Sequence, residues 1–169
     1  INIERVLSIY CPTGHTFRKS EMNKINLLNS VVVIIGASII FLGLNIGLGG
    51  IKTLGWQSTR DFITITDAAA FHAQDSHIRF IGGVWFGVGA VFVIGGFAMH
   101  RFRSTLITLS AIIAIAGLFR LSGMDTEVIY SAAIAPSLTF ELVGFPLLAC
   151  WLMASGKRDT QIIKGVQSQ

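Results

Sequence analysis

The sequence predicts an all-α fold: an integral membrane four-helix bundle with an outward-facing loop and helix between the first and second spans. Three observations carry this. Hydrophobic residues make up 52% of the 169 positions and charged residues only 13%, about half the charged share usual in a soluble domain. The mean hydropathy is +0.67. The apolar residues also gather into four runs, each near the roughly 20 residues that a spanning helix needs. No alternating strand pattern appears, and open sheet edges are excluded from lipid, which leaves helices. The same composition excludes a disordered chain, a collagen-like fibre, a disulfide-stapled module and, in effect, a soluble enzyme.

Residues 1–21 are mixed and polar, and Met22 opens the run MNKINLLNSVVVIIGASIIFLGLNIGLGG. A basic residue followed by a long apolar stretch is a common start for an inner-membrane protein. Two readings of residues 1–21 stand side by side. One is an N-terminal extension outside the fold, with Met22 as the natural start. The other is a short amphipathic arm with Val6, Ile9 and Tyr10 on one side. The four-helix domain then covers 22–156, and 157–169 form a basic tail.

The first span is expected over 25–48. Its apolar core is too long for a signal peptide, and no clean cleavage site follows. The loop over 49–79 is the longest polar piece. Thr66 or Asp67 suits an N-cap, and DAAAFHAQDSHIRF after it is rich in helix formers. This stretch reads as a helix that runs into the second span at 80–99, or as a surface helix with a bend near Asp75 and Ser76. A third span is expected over about 104–121. A fourth follows over about 136–154, with Pro136 in its first turn. Trp56 and Trp151 suit interfacial anchors.

Loop charges set the expected orientation. Nine of the thirteen Lys and Arg fall before the first span, between the second and third, or after the fourth: Arg5, Arg18, Lys19, Lys24, Arg101, Arg103, Lys157, Arg158 and Lys164. The positive-inside rule then puts both termini in the cytoplasm and the 49–79 loop and the turn near Asp125 outside. The expected location is a bacterial inner membrane. The net charge of +4 does not point to nucleic acid, because the basic residues flank apolar runs and form no patch.

Helix contacts are expected where small residues recur at four-residue spacing: Gly43 and Gly47 on the first span, Gly83 and Gly87 on the second. Ionisable residues at membrane depth mark the candidate site, since they are costly in lipid and usually face the bundle interior in pairs. Arg79 opens the second span, Arg120 ends the third, and Glu141 lies five residues beyond Pro136, roughly 7–8 Å deeper at the helical rise. Asp75 precedes Arg79 by four and shares its helix face. One cluster of two acids and two arginines is therefore expected in the outer half of the bundle, with Glu141 in ion-pairing reach of Arg120 or Arg79. It serves either as a structural network that sets helix register or as the polar floor of an outward pocket.

Other candidates are weaker. His72, Asp75 and His77 form H-x-x-D-x-H, but His77 points away from the other two, and a metal site needs three or four converging ligands. No metal is expected. Ser122 has no histidine partner or nucleophile elbow. No phosphate loop, dinucleotide fingerprint or haem-attachment motif is present, so no cofactor is expected. Cys11 and Cys150 are too far apart for a disulfide framework, and Cys150 reads as a packing residue. Phe80, Trp85 and Phe86 read as lipid-facing or core residues.

The segments GLGGIKTLGW and TDAAAFHAQDSHIRFIGGVWFGVG, with GLFRLSGM and ELVGFPLLACWL further on, resemble the DUF4345 family, a bacterial membrane family described as a domain of unknown function. The resemblance runs from about Met22 to Ala154. It implies a compact four-helix membrane protein and no particular activity. It draws attention to Asp75, Arg79, Gly82, Gly83, Arg120, Glu141 and Pro146. The expected function is that of an accessory subunit or a binder of a lipid-like, amphiphilic molecule, with membrane lipids, and other membrane subunits or a second copy, as partners. The rival is an integral membrane enzyme of isomerase-like acid–base chemistry, using Glu141 with Arg79 or Arg120.

Overall fold

The structure, a computed structural model, describes residues 13–51, 65–125, 129–132 and 134–167, with side chains over 26–51, 65–125, 129–132 and 134–156. Every regular element among them is helical. Helix α1 runs Thr13–Gly49, α2 Ala68–Phe97, α3 Met99–Ser122, α4 Ala135–Thr139 and α5 Phe145–Gln167, with a π-helical turn Phe140–Gly144 joining the last two. Four stretches are long and apolar enough to cross a membrane: Asn26–Gly49, Ala68–Phe97, Met99–Ser122 and Ala135–Gly156. The last comprises α4, the π turn and most of α5, and is the fourth span.

Local chemistry accounts for several boundaries. The Asp67 carboxylate accepts hydrogen bonds from the amides of Ala69 at 2.9 Å and Ala70 at 3.1 Å, which satisfies two of the free donors at a helix start. From there α2 runs unbroken through Asp75 and Ser76, so the continuous reading holds and the surface helix does not. Pro136 sits in the first turn of α4. Two boundaries differ from expectation. Residues 13–21 continue α1 with no break at Met22. Only Ala98, at φ −118° and ψ 46°, interrupts α2 and α3, so Arg101 and Arg103 lie within the first turns of α3 rather than in a loop. Hydropathy marks where apolar residues stop, whereas a helix ends where its backbone hydrogen bonds do.

Helix α1 ends on Gly50. Its φ of +68° is left-handed, and its amide donates to the carbonyl of Ile46 at 2.8 Å, as in a glycine-terminated helix. The next amide, Ile51, donates to Asp75 Oδ1 at 2.8 Å, so a side chain of α2 caps the end of α1. A Cβ on Gly50 would collide with that same oxygen. Gly50→Ala is therefore expected to lower stability by at least about 1–2 kcal/mol, the cost of the left-handed conformation alone, with the collision added. Denaturation of the purified variant in detergent checks this.

The helices alternate in direction. Gly43 lies against Gly82 and Gly36 against Gly89, Gly95 meets Leu106, and Gly117 meets Glu141. Helix α1 packs most closely on α2, and α3 packs along α5. The core between them includes Val32, Ile39, Phe92, Leu106, Phe145 and Leu152, with Phe92 and Phe145 edge to face at 5.9 Å. Many large apolar side chains point outward instead, among them Leu48, Phe80, Phe97, Phe119 and Leu147. In water such a surface would aggregate; in a bilayer it is the solvated face. Trp151 is partly buried against the core. Trp56 lies outside the described residues.

The α1–α2 seam shows which glycines meet within this chain. Gly43 and Gly47 face α2, Gly43 against Gly82 and Phe86 and Gly47 against the Gly82–Gly83 peptide, while the Cα–Cβ directions of Gly83 and Gly87 point away from α1. A Cβ on Gly82 would run into the Gly47 backbone and lie 2.9 Å from the Gly43 carbonyl oxygen; on Gly89 it would lie 2.7 Å from the Ile40 amide nitrogen. A Cβ on Gly83 or Gly87 meets nothing within 4 Å. Consecutive residues on a helix are about 100° apart, so a one-residue error in choosing the stripe turns it away from the neighbour. The seam repeats every seven residues: Gly36 and Gly43 on one helix, Gly82, Gly89 and Gly96 on the other. Seven is the spacing that keeps one stripe facing a partner in a left-handed pair.

Candidate functional site

The up-and-down topology brings the C-terminal ends of α1 and α3 and the N-terminal ends of α2 and the fourth span to one end of the bundle. All four sequence-expected ionisable residues lie there, and each acid takes one arginine. Arg79 Nε donates to Asp75 Oδ2 at 2.7 Å, across the single helical turn that their spacing implied. Arg120 Nη1 donates to Glu141 Oε1 at 2.8 Å, bridging α3 and the fourth span.

These are two pairs rather than one cluster. Among the described residues no hydrogen bond or ion pair joins them. Arg79 is drawn elsewhere: its Nη1 also donates to the carbonyls of Leu48 and Gly47. The last carbonyls of a helix lack intrahelical donors and carry partial negative charge. Arg79 answers that charge while Asp75 caps Ile51, so this pair clamps α1 to α2. Apolar patterning gave no sign of it, because it depends on where α1 stops.

The second pair has a different setting. Arg120 Nη1 also donates to Ser137 Oγ at 3.0 Å, and Ser137 in turn donates to the Ile134 carbonyl at 3.0 Å. The Glu141 side chain is largely buried, at 15% exposure, and Arg120 retains 34%. Gly117 makes room for the acid: a Cβ there would come within 2.9 Å of Glu141 Cβ.

Glu141 lies within the π turn, closed by the Phe145 amide donating to the Phe140 carbonyl five residues back. The next residue, Pro146, has no amide hydrogen, and its ring excludes the carbonyl four residues earlier. A wide turn accommodates this, and such turns recur at functional sites. The depth expected for Glu141 assumed an ordinary helix, so the turn also changes which way the side chain faces.

Beside Glu141 is a groove of about 550 Å³, within the range of about 300–1,000 Å³ typical of small-molecule sites. One wall is α1, from Val31 to Leu42; the other is the fourth span, with Ser137, Phe140, Glu141 and Phe145; Trp85 of α2 contributes between them. The lining is aliphatic and aromatic apart from Ser38, Ser137 and Glu141. Ser38, Trp85 and Ser137 were not singled out as a site from the sequence. They come from three different spans, and no local pattern joins them.

The remaining candidates do not converge. His77 Nδ1 bonds to the Ala73 carbonyl within its own helix at 2.9 Å, and the His72 ring meets Phe71 edge to face. Among the described residues no three His, Cys, Asp or Glu side chains are grouped as a metal would need. Ser122 donates to the Phe119 carbonyl. Cys150 is exposed, which corrects its reading as a packing residue, and Cys11 lies outside the described residues.

Fold and site together define a multi-pass helical membrane protein. The family model described as Domain of unknown function (DUF4345) matches residues 27–152, and the chain belongs to that family. No curated protein and no solved structure matches it.

Proposed function

We propose that this protein holds a lipid-like amphiphile in the groove between α1 and the fourth span. The observation that carries the reading is the groove itself: an aliphatic and aromatic trough with a carboxylate in its wall, opening on a surface whose apolar side chains suit lipid. Its mixed lining fits a molecule with one long apolar part and one polar end. Native mass spectrometry after gentle detergent extraction tests it. The wild type is expected to retain a stoichiometric amphiphile. Ser38→Trp, which fills the groove from an exposed position, is expected to lose it while keeping its fold. Equal retention by both would overturn the reading.

An accessory-subunit role is the second reading. It is favoured by the outward face of α2, where Gly83 and Gly87 leave the backbone open to a helix from another chain. Gly83→Leu with Gly87→Leu should then release a partner that co-purifies with the wild type; co-purification unchanged by the pair would count against it.

The setting we propose is a bacterial inner membrane with both termini cytoplasmic. Its support is the nine-to-four division of basic residues. Single cysteines placed near Trp56 or Asp125 are expected to react with an impermeant thiol reagent from outside, and ones near Arg101 or Lys157 are not. Labelling at Arg101 from outside would invert the topology.

A further inference from the structure

We infer that the groove selects an uncharged amphiphile with a free hydroxyl, a long-chain alcohol, and that Glu141 receives its proton. The inference rests on the groove being a binding site, as proposed above, and concerns the chemistry of the polar end. The hydrogen-bonding capacity of the wall decides it. Ser137 Oγ donates to the Ile134 carbonyl and accepts from Arg120. Ser38 Oγ donates to the Ile34 carbonyl at 3.0 Å, which leaves it only lone pairs. Glu141 uses Oε1 for Arg120, and among the described residues its Oε2 accepts nothing. An ionised carboxylate is an acceptor with room for about four hydrogen bonds. The two serines and the acid that polarise the groove therefore have acceptor capacity to spare, and the donor on the wall is the indole N–H of Trp85. A guest that both donates and accepts, as a hydroxyl does, meets both.

Charge narrows the choice further. A carboxylate or phosphate end would lie beside Glu141 in an apolar groove, where like charges repel strongly and water does not screen them. An ammonium end would face a carboxylate whose charge is already met by Arg120, with that guanidinium 2.8 Å from Oε1, and would be repelled by it. A neutral hydroxyl donates to the Glu141 carboxylate with neither penalty, and bonds to charged acceptors are the stronger class. It also leaves the Arg120–Glu141 bridge between α3 and the fourth span in place.

The test uses the full-length protein in nanodiscs and a long-chain alcohol carrying a chain-borne diazirine as the photoreactive probe. Unlabelled competitors of equal chain length end in a hydroxyl, a methyl ether, a primary amine or a carboxylate. Labelling is expected on α1 and the fourth span, and the alcohol should displace the probe at least about tenfold better than the ether, the effect of one hydrogen bond to a charged acceptor. Amine and carboxylate should be weaker than the alcohol by a similar factor or more. Glu141→Gln keeps an acceptor for Arg120, and there the alcohol-to-ether ratio should shrink several-fold with probe labelling retained. Equal displacement by alcohol and ether would overturn the headgroup assignment and leave the groove reading intact. Superiority of the amine or the carboxylate would overturn it as well, the latter in favour of Arg120 as receptor. Absence of groove labelling by the probe would remove the groove reading itself, and the inference with it.

Discussion

Gly82→Ala is expected to destabilise the protein at or beyond the upper end of the about 1–3 kcal/mol typical of overpacking. The reason is what the new methyl meets. Around Gly82 it would contact the backbone of Gly47 and Gly43, and backbone cannot rotate aside as a side chain can. The only relief is to move α1 away from α2, which loosens the rest of the seam through Gly36 and Gly89. Without a hydrophobic drive between helices in lipid, this close backbone approach is itself a main source of association. Gly83→Ala and Gly87→Ala serve as controls. Nothing lies near either Cβ, so each should be neutral or gain up to about 1 kcal/mol from the better helix propensity of alanine. Unfolding titrations of the three variants in mixed detergent measure the contrast. A loss at Gly83 equal to that at Gly82 would contradict the seam.

The second large effect is expected at the Arg120–Glu141 bridge. Glu141→Ala strands an arginine between two helices, a change that costs about 3–5 kcal/mol where the pair is fully buried. Arg120 is one-third exposed, so the lower end, about 3 kcal/mol, applies. Arg120→Ala should cost a comparable amount, because it leaves the carboxylate largely buried and alone. The double variant should lose less than the sum of the two, since neither charge is then left without its counterpart. A double-mutant cycle on unfolding free energy reads this coupling directly. Additive losses would show that the two side chains do not depend on each other.

Much of the architecture is legible without coordinates because bilayer thickness imposes its own length on apolar runs. The four spans, the Asp67 cap and the position of Pro136 in a first turn all follow from local rules. So does the Asp75–Arg79 pair, since four residues on a helix is a fixed distance. The need of Glu141 for an arginine is also readable, being a matter of cost rather than of geometry.

What escaped are the features that depend on how one helix sits against another. Composition offers Gly82 and Gly83 equally; the rotation of α2 about its axis, set by close approach to α1, decides between them. Arg79 and Arg120 look interchangeable as partners for Glu141 until α1 is seen to end at Gly50 and claim Arg79 with its free carbonyls. Pro146 announces a disturbed turn, but not that the disturbance places Glu141 in the wall of a groove. That groove exists only because α1 and the fourth span, at opposite ends of the chain, stand side by side. The amino-acid order thus set which segments span and which charges must be neutralised, because those are costs each segment meets alone in lipid. The pairing of charges, the face each helix turns inward and the groove were left to tertiary packing, because each is a relation between segments that no single stretch of chain contains.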